Sequence, residues 1–177
     1  MEYNTEKKCF ELHGEIFATM RHADGTEEQR HYTNIIVDVA SDQMAEWAIA
    51  QNTVGFPRVD GVRTLAVGTG AVGWDLQNPP PATAAQTQLE NELIRKTFDS
   101  VNYVDGSGNP SLTRTHIVDY VTTYGDTEAV GPLVEMGLFA GTGATTPGSG
   151  SQINYRTFAV WNKPATSTLT IVWRLTF

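Results

Sequence analysis

The feature that most constrains the fold is a strict alternation of apolar and polar residues near the C-terminal end of the sequence. From Leu169 to Phe177 every second residue is large and apolar, and the residues between are Thr170, Val172, Arg174 and Thr176. A period of two residues places the apolar side chains on one face of a β-strand. The segment 112–124 alternates in the same way and carries threonine on both faces. These patterns predict a mainly β, antiparallel sandwich of jelly-roll-like architecture, with an outer sheet face that is wetted or covered by a neighbour.

The N-terminal part of the sequence predicts a β-hairpin. Residues 8–22 alternate as one or two strands, and residues 28–37 form the return strand. Between them, Asp24-Gly25 is a strong hairpin turn signal. We therefore divide the chain into an N-terminal arm and hairpin at residues 1–33 and a β-sandwich domain at residues 34–177.

Two short helices are expected within this β structure. The first begins at Ser41, whose side-chain oxygen can accept a bond from a free amide, and continues through residues 44–49 at helical spacing. The second covers residues 89–96, where Leu89 and Leu93 would share one face. The charged residues of the second helix are either solvated or fix a subunit contact. They are Glu90, Glu92 and Arg95.

Two glycine-rich stretches resemble ligand-binding loops, but the sequence does not support a binding role for either. The run at 68–73 lacks the lysine and the Ser/Thr of a phosphate-binding loop, so we interpret it as a strand end that the chain approaches closely. The loop at 105–110 resembles a calcium loop, but His116 stands where the final glutamate belongs. Trp74, on the proline-rich loop that follows the first run, either lies in an interface or packs back onto the domain.

No catalytic constellation is present in the sequence. Glu135 is embedded in an apolar strand, and a catalytic carboxylate would need a partner and a cleft, so we expect a hydrogen-bonded or edge position instead. The four histidines are scattered, and Cys9 has no context for a reactive thiol. We therefore predict that the chain is not an enzyme and has no catalytic, cofactor-binding or metal-binding residues.

The composition limits the classes of molecule that we expect the chain to bind. The net charge is −8, which is unlike the basic footprint of a nucleic-acid-binding protein and is repelled by an anionic membrane. One cysteine cannot form a disulfide within the chain, which fits synthesis in a reducing cytoplasm. The sequence shows no signal peptide and no apolar run of membrane-spanning length. We expect neither nucleic acid nor membrane as a partner.

Several short motifs occur together in a fixed order. They are Asn34-Ile35-Ile36-Val37, then Leu65-Ala66-Val67-Gly68-Thr69-Gly70, then Thr87-Gln88-Leu89-Glu90-Asn91-Glu92 with Arg95, then Glu135-Met136-Gly137-Leu138-Phe139, before a closing pair of strands. This order resembles small structural proteins of tailed bacteriophages, in particular the N-terminal domains of tail-fibre and tail-collar proteins and related uncharacterised virion proteins. The resemblance spans roughly residues 34–177.

The resemblance implies a β-sandwich that assembles as a homo-oligomer with other virion proteins, made in the host cytoplasm and kept on the virion. A tail fibre would continue into a shaft and a tip, so a tail, baseplate or fibre-connector component is expected. A capsid decoration protein and a carbohydrate- or receptor-binding module are the alternatives. The candidate interface residues are Trp74, Glu90, Glu92, Arg95, Trp173 and Phe177.

Overall fold

A computed structural model describes residues 12–42, 44 and 61–177 of the chain. Within these ranges the fold is mainly β, with ten strands and one short helix that begins at residue 39. The strands are β1 (His13–Arg21), β2 (Glu27–Thr33), β3 (Ile35–Ile36), β4 (Val62–Gly68), β5 (Glu92–Thr97), β6 (Ser100–Tyr103), β7 (Ile117–Tyr124), β8 (Gly131–Ala140), β9 (Ser151–Lys163) and β10 (Thr168–Thr176).

The strands form two five-stranded antiparallel sheets that pack as a sandwich. Sheet I has the order β2-β1-β10-β7-β6, and sheet II has the order β3-β9-β8-β4-β5. The predicted hairpin is confirmed, because β1 and β2 pair in register across the turn at Asp24-Gly25. In sheet I, β1 also pairs with β10, so that Ile16 lies opposite Trp173. The division of the chain at residue 33 stays a prediction.

The alternation at the C-terminal end of the sequence is confirmed as β10. Its apolar residues Leu169, Ile171 and Trp173 point into the core between the sheets, while Thr170 and Val172 between them are partly exposed. Each fully buried side chain of this size contributes about 1.5–3 kcal/mol through the hydrophobic effect. The pattern therefore fixes both the strand and the face that it buries.

The predicted helix at residues 89–96 is wrong. Residues 92–97 form strand β5, which pairs with β4 at the end of sheet II. Ile94 packs against the main core, whereas Leu93, the residue that would have anchored a helix, is exposed. Pairing with the buried strand β4 and the packing of Ile94 outweigh helix propensity, which differs by less than about 1 kcal/mol per residue.

Other predicted boundaries also move. The strand expected from residue 96 to 104 is divided between β5 in sheet II and β6 in sheet I. The short helix begins two residues before Ser41, whose hydroxyl donates to the carbonyl oxygen of Asp38. The predicted continuation of this helix through residues 45–49 lies outside the described residues.

The outer face of sheet II is covered by two segments of the chain itself, residues 69–91 and 141–150, which we call the covering layer. Leu89 and Ala144 from this layer join a second apolar cluster with Ala66, Phe139 and Tyr155 of the sheet. This cluster is separate from the main core between the sheets. As a result the central strand β8 is buried on both faces for most of its length.

Candidate functional site

The motifs singled out in the sequence meet at one buried carboxylate, that of Glu135 on β8. Its Oε1 accepts hydrogen bonds from the backbone amides of Gly70 at 3.1 Å and Asn91 at 2.9 Å. Its Oε2 accepts from the backbone amide of Glu90 at 3.0 Å and from the hydroxyl of Tyr155 at 2.7 Å. We call these five residues the Glu135 node. The carboxylate thus joins the end of β4, the covering layer and β9.

The hydrogen-bonded interpretation of Glu135 is confirmed, and its surroundings oppose a role as a general base. The residue has no exposed surface, and each carboxylate oxygen already accepts two donors. Burial, together with the nearby Glu135 carboxylate, holds the pKa of the Tyr155 hydroxyl well above its usual value. Tyr155 therefore stays protonated and keeps donating to Glu135.

Glycine is required where β4 reaches the node. A Cβ on Gly68 would lie 2.5 Å from Glu135 Oε1 and 2.6 Å from the carbonyl oxygen of Asn91. Gly70 has a φ of 72°, in the left-handed region that favours glycine. The interpretation of this run as a strand end with a close approach is therefore confirmed. The approaching group is a carboxylate of the chain itself.

Arg95 holds the second segment of the covering layer. Its side chain is fully buried and makes a bidentate pair with Glu92, with N···O distances of 2.8 and 2.6 Å. Nη1 donates to the carbonyl oxygens of Ala144 at 3.0 Å and Ser149 at 2.7 Å. The guanidinium also lies 3.6 Å from the ring centroid of Phe139. We call this arrangement the Arg95 clamp, and it ties β5 to the loop at 141–150.

The remaining candidate interface residues lie in different environments. Glu90 is exposed, and its carboxylate accepts a bond from the side chain of Gln86. Trp74 is partly buried, and its ring lies against Gly70. Trp173 is fully buried in the main core, so it offers no surface as the domain is folded here. Phe177 is exposed at the end of β10.

The clamp pairs Arg95 with Glu92, three residues away, whereas the node joins Glu135 to residues 44 and 65 positions earlier in the sequence. Tyr155 was missed by the sequence analysis because its strand has no motif, and only the register of β9 against β8 places it beside Gly137 on the face that carries Glu135. Its apolar neighbours at positions 153 and 158 indicated a strand without indicating a partner.

The loop at 105–110 is satisfied by its own backbone. The carboxylate of Asp105 accepts from the amides of Ser107 and Asn109, and these bonds hold the pKa of Asp105 below its usual value. In the described part of the chain, no three or more His, Cys, Asp or Glu residues are grouped so that they could hold a metal ion. No helix among the described residues has the length and apolar character needed to cross a membrane.

One side of the sandwich leaves apolar residues exposed. Strands β5 and β6 are the end strands of sheets II and I, and only residues 98–99 connect them, so both edges lie on the same side. Leu93, Val101 and Tyr103 on these strands have exposed fractions between 39% and 52%. We call this surface the β5–β6 side. Within the described ranges, each of its two strands has one neighbouring strand in its sheet.

No model of a known protein family matches the chain, and a comparison with curated proteins finds no match.

Proposed function

We propose that this chain is a structural protein of a tailed bacteriophage virion, a component of the tail, baseplate or fibre connector that assembles through subunit contacts. The observation that carries the proposal is the convergence of three motif segments on Glu135. One hydrogen-bonded unit contains residues from all three segments, 65–70, 87–92 and 135–139. The resemblance to tail proteins therefore rests on one physical arrangement instead of three separate short matches.

Assembly is assigned to the β5–β6 side. Strands β5 and β6 end their sheets and carry exposed apolar side chains, and such strands can pair with another subunit because sheet edges carry unpaired backbone groups. The edge of β6 is occupied only at Tyr103 among the described residues, where its carbonyl oxygen accepts from the amide of Ser111. Symmetry multiplies such contacts on a particle. The net charge of −8 favours protein partners over nucleic acid or an anionic membrane. The proposed location is accordingly the virion, after synthesis in the host cytoplasm.

The sandwich is proposed to be jelly-roll-like. In sheet I β1 pairs with β10, and in sheet II β3 pairs with β9, so early strands lie beside late ones in both sheets. Such returns are typical of Greek keys, two of which make a jelly roll. Tracing the strand order in a density map of the assembled particle tests this architecture.

The first experiment is light scattering of the purified protein, followed by cryo-electron microscopy of the phage particle. The expected result is a defined ring or trimer that dissociates in the Val101→Glu variant. Thr33→Glu, on β2 at the opposite edge of sheet I, is the control and keeps the wild-type mass. A wild-type monomer at every concentration argues against self-association, and absence of the chain from every particle refutes the virion assignment.

Two alternative functions predict different results in these experiments. A capsid decoration protein would stay a monomer or dimer in solution and become ordered on the capsid lattice. A carbohydrate-binding module has less support, because the Trp74 ring that could stack on a sugar lies against Gly70. Specific signals on a glycan array, lost in Trp74→Ala, would nevertheless favour that module.

A further inference from the structure

A cleft of about 330 Å³ lies between the proline-rich part of the covering layer and strand β9. Its volume is at the lower end of the range for small-ligand sites, which suits one or two side chains of a bound segment. Its lining includes Gln77, Asn78, Pro79, Arg156 and Phe158. The cleft is separate from the Glu135 node and from the β5–β6 side.

Arg156 is the unusual residue of this cleft. Among the described residues its guanidinium has no hydrogen-bond or ion-pair partner, and its buried Nε is unsatisfied. The guanidinium carbon lies 5.3 Å from the centroid of the Tyr32 ring. Arg95 and Arg174, by contrast, each form a bidentate pair with a carboxylate. A buried N–H without a partner costs about 1–3 kcal/mol, so a site that keeps one is suited to an incoming acceptor.

We propose that the cleft binds a carboxylate carried by an extended peptide segment, with Arg156 as the principal donor. The guanidinium fork matches the two oxygens of a carboxylate. One unpaired cation balances one negative charge, whereas a phosphate dianion would call for more. The exposed amide side chains of Gln77 and Asn78 supply further donors, and Pro79 and Phe158 supply apolar surface for the neighbouring part of the segment.

The geometry of β9 favours a peptide over a free small acid. Strand β3 pairs with β9 only at Tyr155 and Asn154. Over residues 156–158 this edge of β9 has no neighbouring strand among the described residues and faces the cleft. The open stretch ends at Ala159 and Val160, where Arg30 donates to both carbonyl oxygens and the amide of Val160 donates to the carbonyl oxygen of Leu76. An extended segment can lie along such an edge while its carboxylate reaches the guanidinium. This site stands independently of the proposed virion role.

The test is a titration of the isotope-labelled protein, followed by NMR. The probe is a capped pentapeptide with a central glutamate between alanines, and the matched control peptide carries glutamine in its place. The expected result is saturable shifts of the amides lining the cleft with the glutamate peptide, and at least about tenfold weaker binding of the glutamine peptide.

Variants of the protein connect the binding to Arg156. Arg156→Gln is expected to weaken peptide binding about tenfold or more, and Arg156→Lys to weaken it less, because lysine keeps the charge without the fork. Arg114→Gln removes the same charge from an exposed loop position and is expected to bind like wild type. Unchanged binding in Arg156→Gln overturns the proposal, and so does equal loss in Arg114→Gln.

Small anions separate the possible sources of the carboxylate. Acetate is expected to cause the same shifts at much higher concentration than the peptide. Acetate binding as tight as peptide binding would overturn the peptide part of the proposal. Tighter binding of inorganic phosphate, or no shift at the cleft with any probe, would overturn the proposal as a whole.

Discussion

Replacing Glu135 by glutamine tests whether the carboxylate is what holds the covering layer on sheet II. The substitution keeps the shape of the side chain but changes one oxygen into an NH₂ group. The carboxylate accepts four hydrogen bonds, two at each oxygen. In the variant, the two donors on one side therefore face another donor. If the NH₂ group takes the place of Oε2, the hydroxyl of Tyr155 can turn to accept from it, but the backbone amide of Glu90 cannot. If the NH₂ group takes the place of Oε1, both facing donors are backbone amides, and neither can accept.

The expected loss in the free energy of unfolding is about 2–4 kcal/mol. A hydrogen bond to a charged group is worth about 1.5–3 kcal/mol, and the bonds that remain become weaker when the acceptor is neutral. Part of this loss is offset because a neutral amide costs less to bury than a carboxylate. Tyr155→Phe removes a single donor and is expected to cost about 1.5–3 kcal/mol.

The assay is urea unfolding of wild type, Glu135→Gln and Glu90→Gln, analysed at constant m-value. Glu90 contributes its backbone to the node while its carboxylate is exposed, so its glutamine variant is expected within about 0.5 kcal/mol of wild type. Limited proteolysis should cut the 69–91 segment faster in Glu135→Gln only. If the two glutamine variants are equally stable, the carboxylate does not hold this layer and the reasoning fails.

Three further predictions concern the Arg95 clamp, the close approach at Gly68 and the loss of folding stability at low pH. Arg95→Met breaks a buried ion pair and is expected to cost about 3–5 kcal/mol, with faster proteolysis at 141–150, whereas equal cleavage in wild type would contradict the clamp. Gly68→Ala is expected to destabilise by at least about 2 kcal/mol in urea, because its Cβ would meet two oxygens, while Gly106→Ala, with open space around it, stays near wild type. The hydrogen bond from Lys96 holds the pKa of the Glu128 carboxyl below its usual value of 4.5, so its contribution to stability is present above that pH and is lost as pH falls through the folded-state pKa. The stability difference between wild type and Glu128→Gln should therefore shrink below about pH 4, and a difference independent of pH would contradict this assignment.

The sequence predicted the elements whose pattern is local. The alternation in β10 and the turn at Asp24-Gly25 each depend on neighbouring residues, and both are confirmed. The helix at 89–96 failed because leucine spacing in so short a stretch fits either period. The deciding contact, the pairing of β5 with β4, lies more than twenty residues away in the sequence.

The Glu135 node was likewise only partly predictable from the sequence. Glu135 could be recognised as an unusual acid inside an apolar strand, and the glycines before Trp74 as a point of close approach, from the sequence. The donors to the carboxylate could not be recognised, because three are backbone amides of the covering layer and one is a hydroxyl on β9. The unpartnered guanidinium of Arg156 is likewise visible only when its neighbours in space are known.

The sequence by itself determined the β class, the acidic charge and the faces that the long strands bury, because side-chain period and composition are properties of the chain. The tertiary structure decided which strands pair, which sheet face is covered, and which charges are satisfied. These depend on contacts between distant segments, whose free energy exceeds the small local preference for helix or strand. The Glu135 node and the Arg156 cleft exist only at that level.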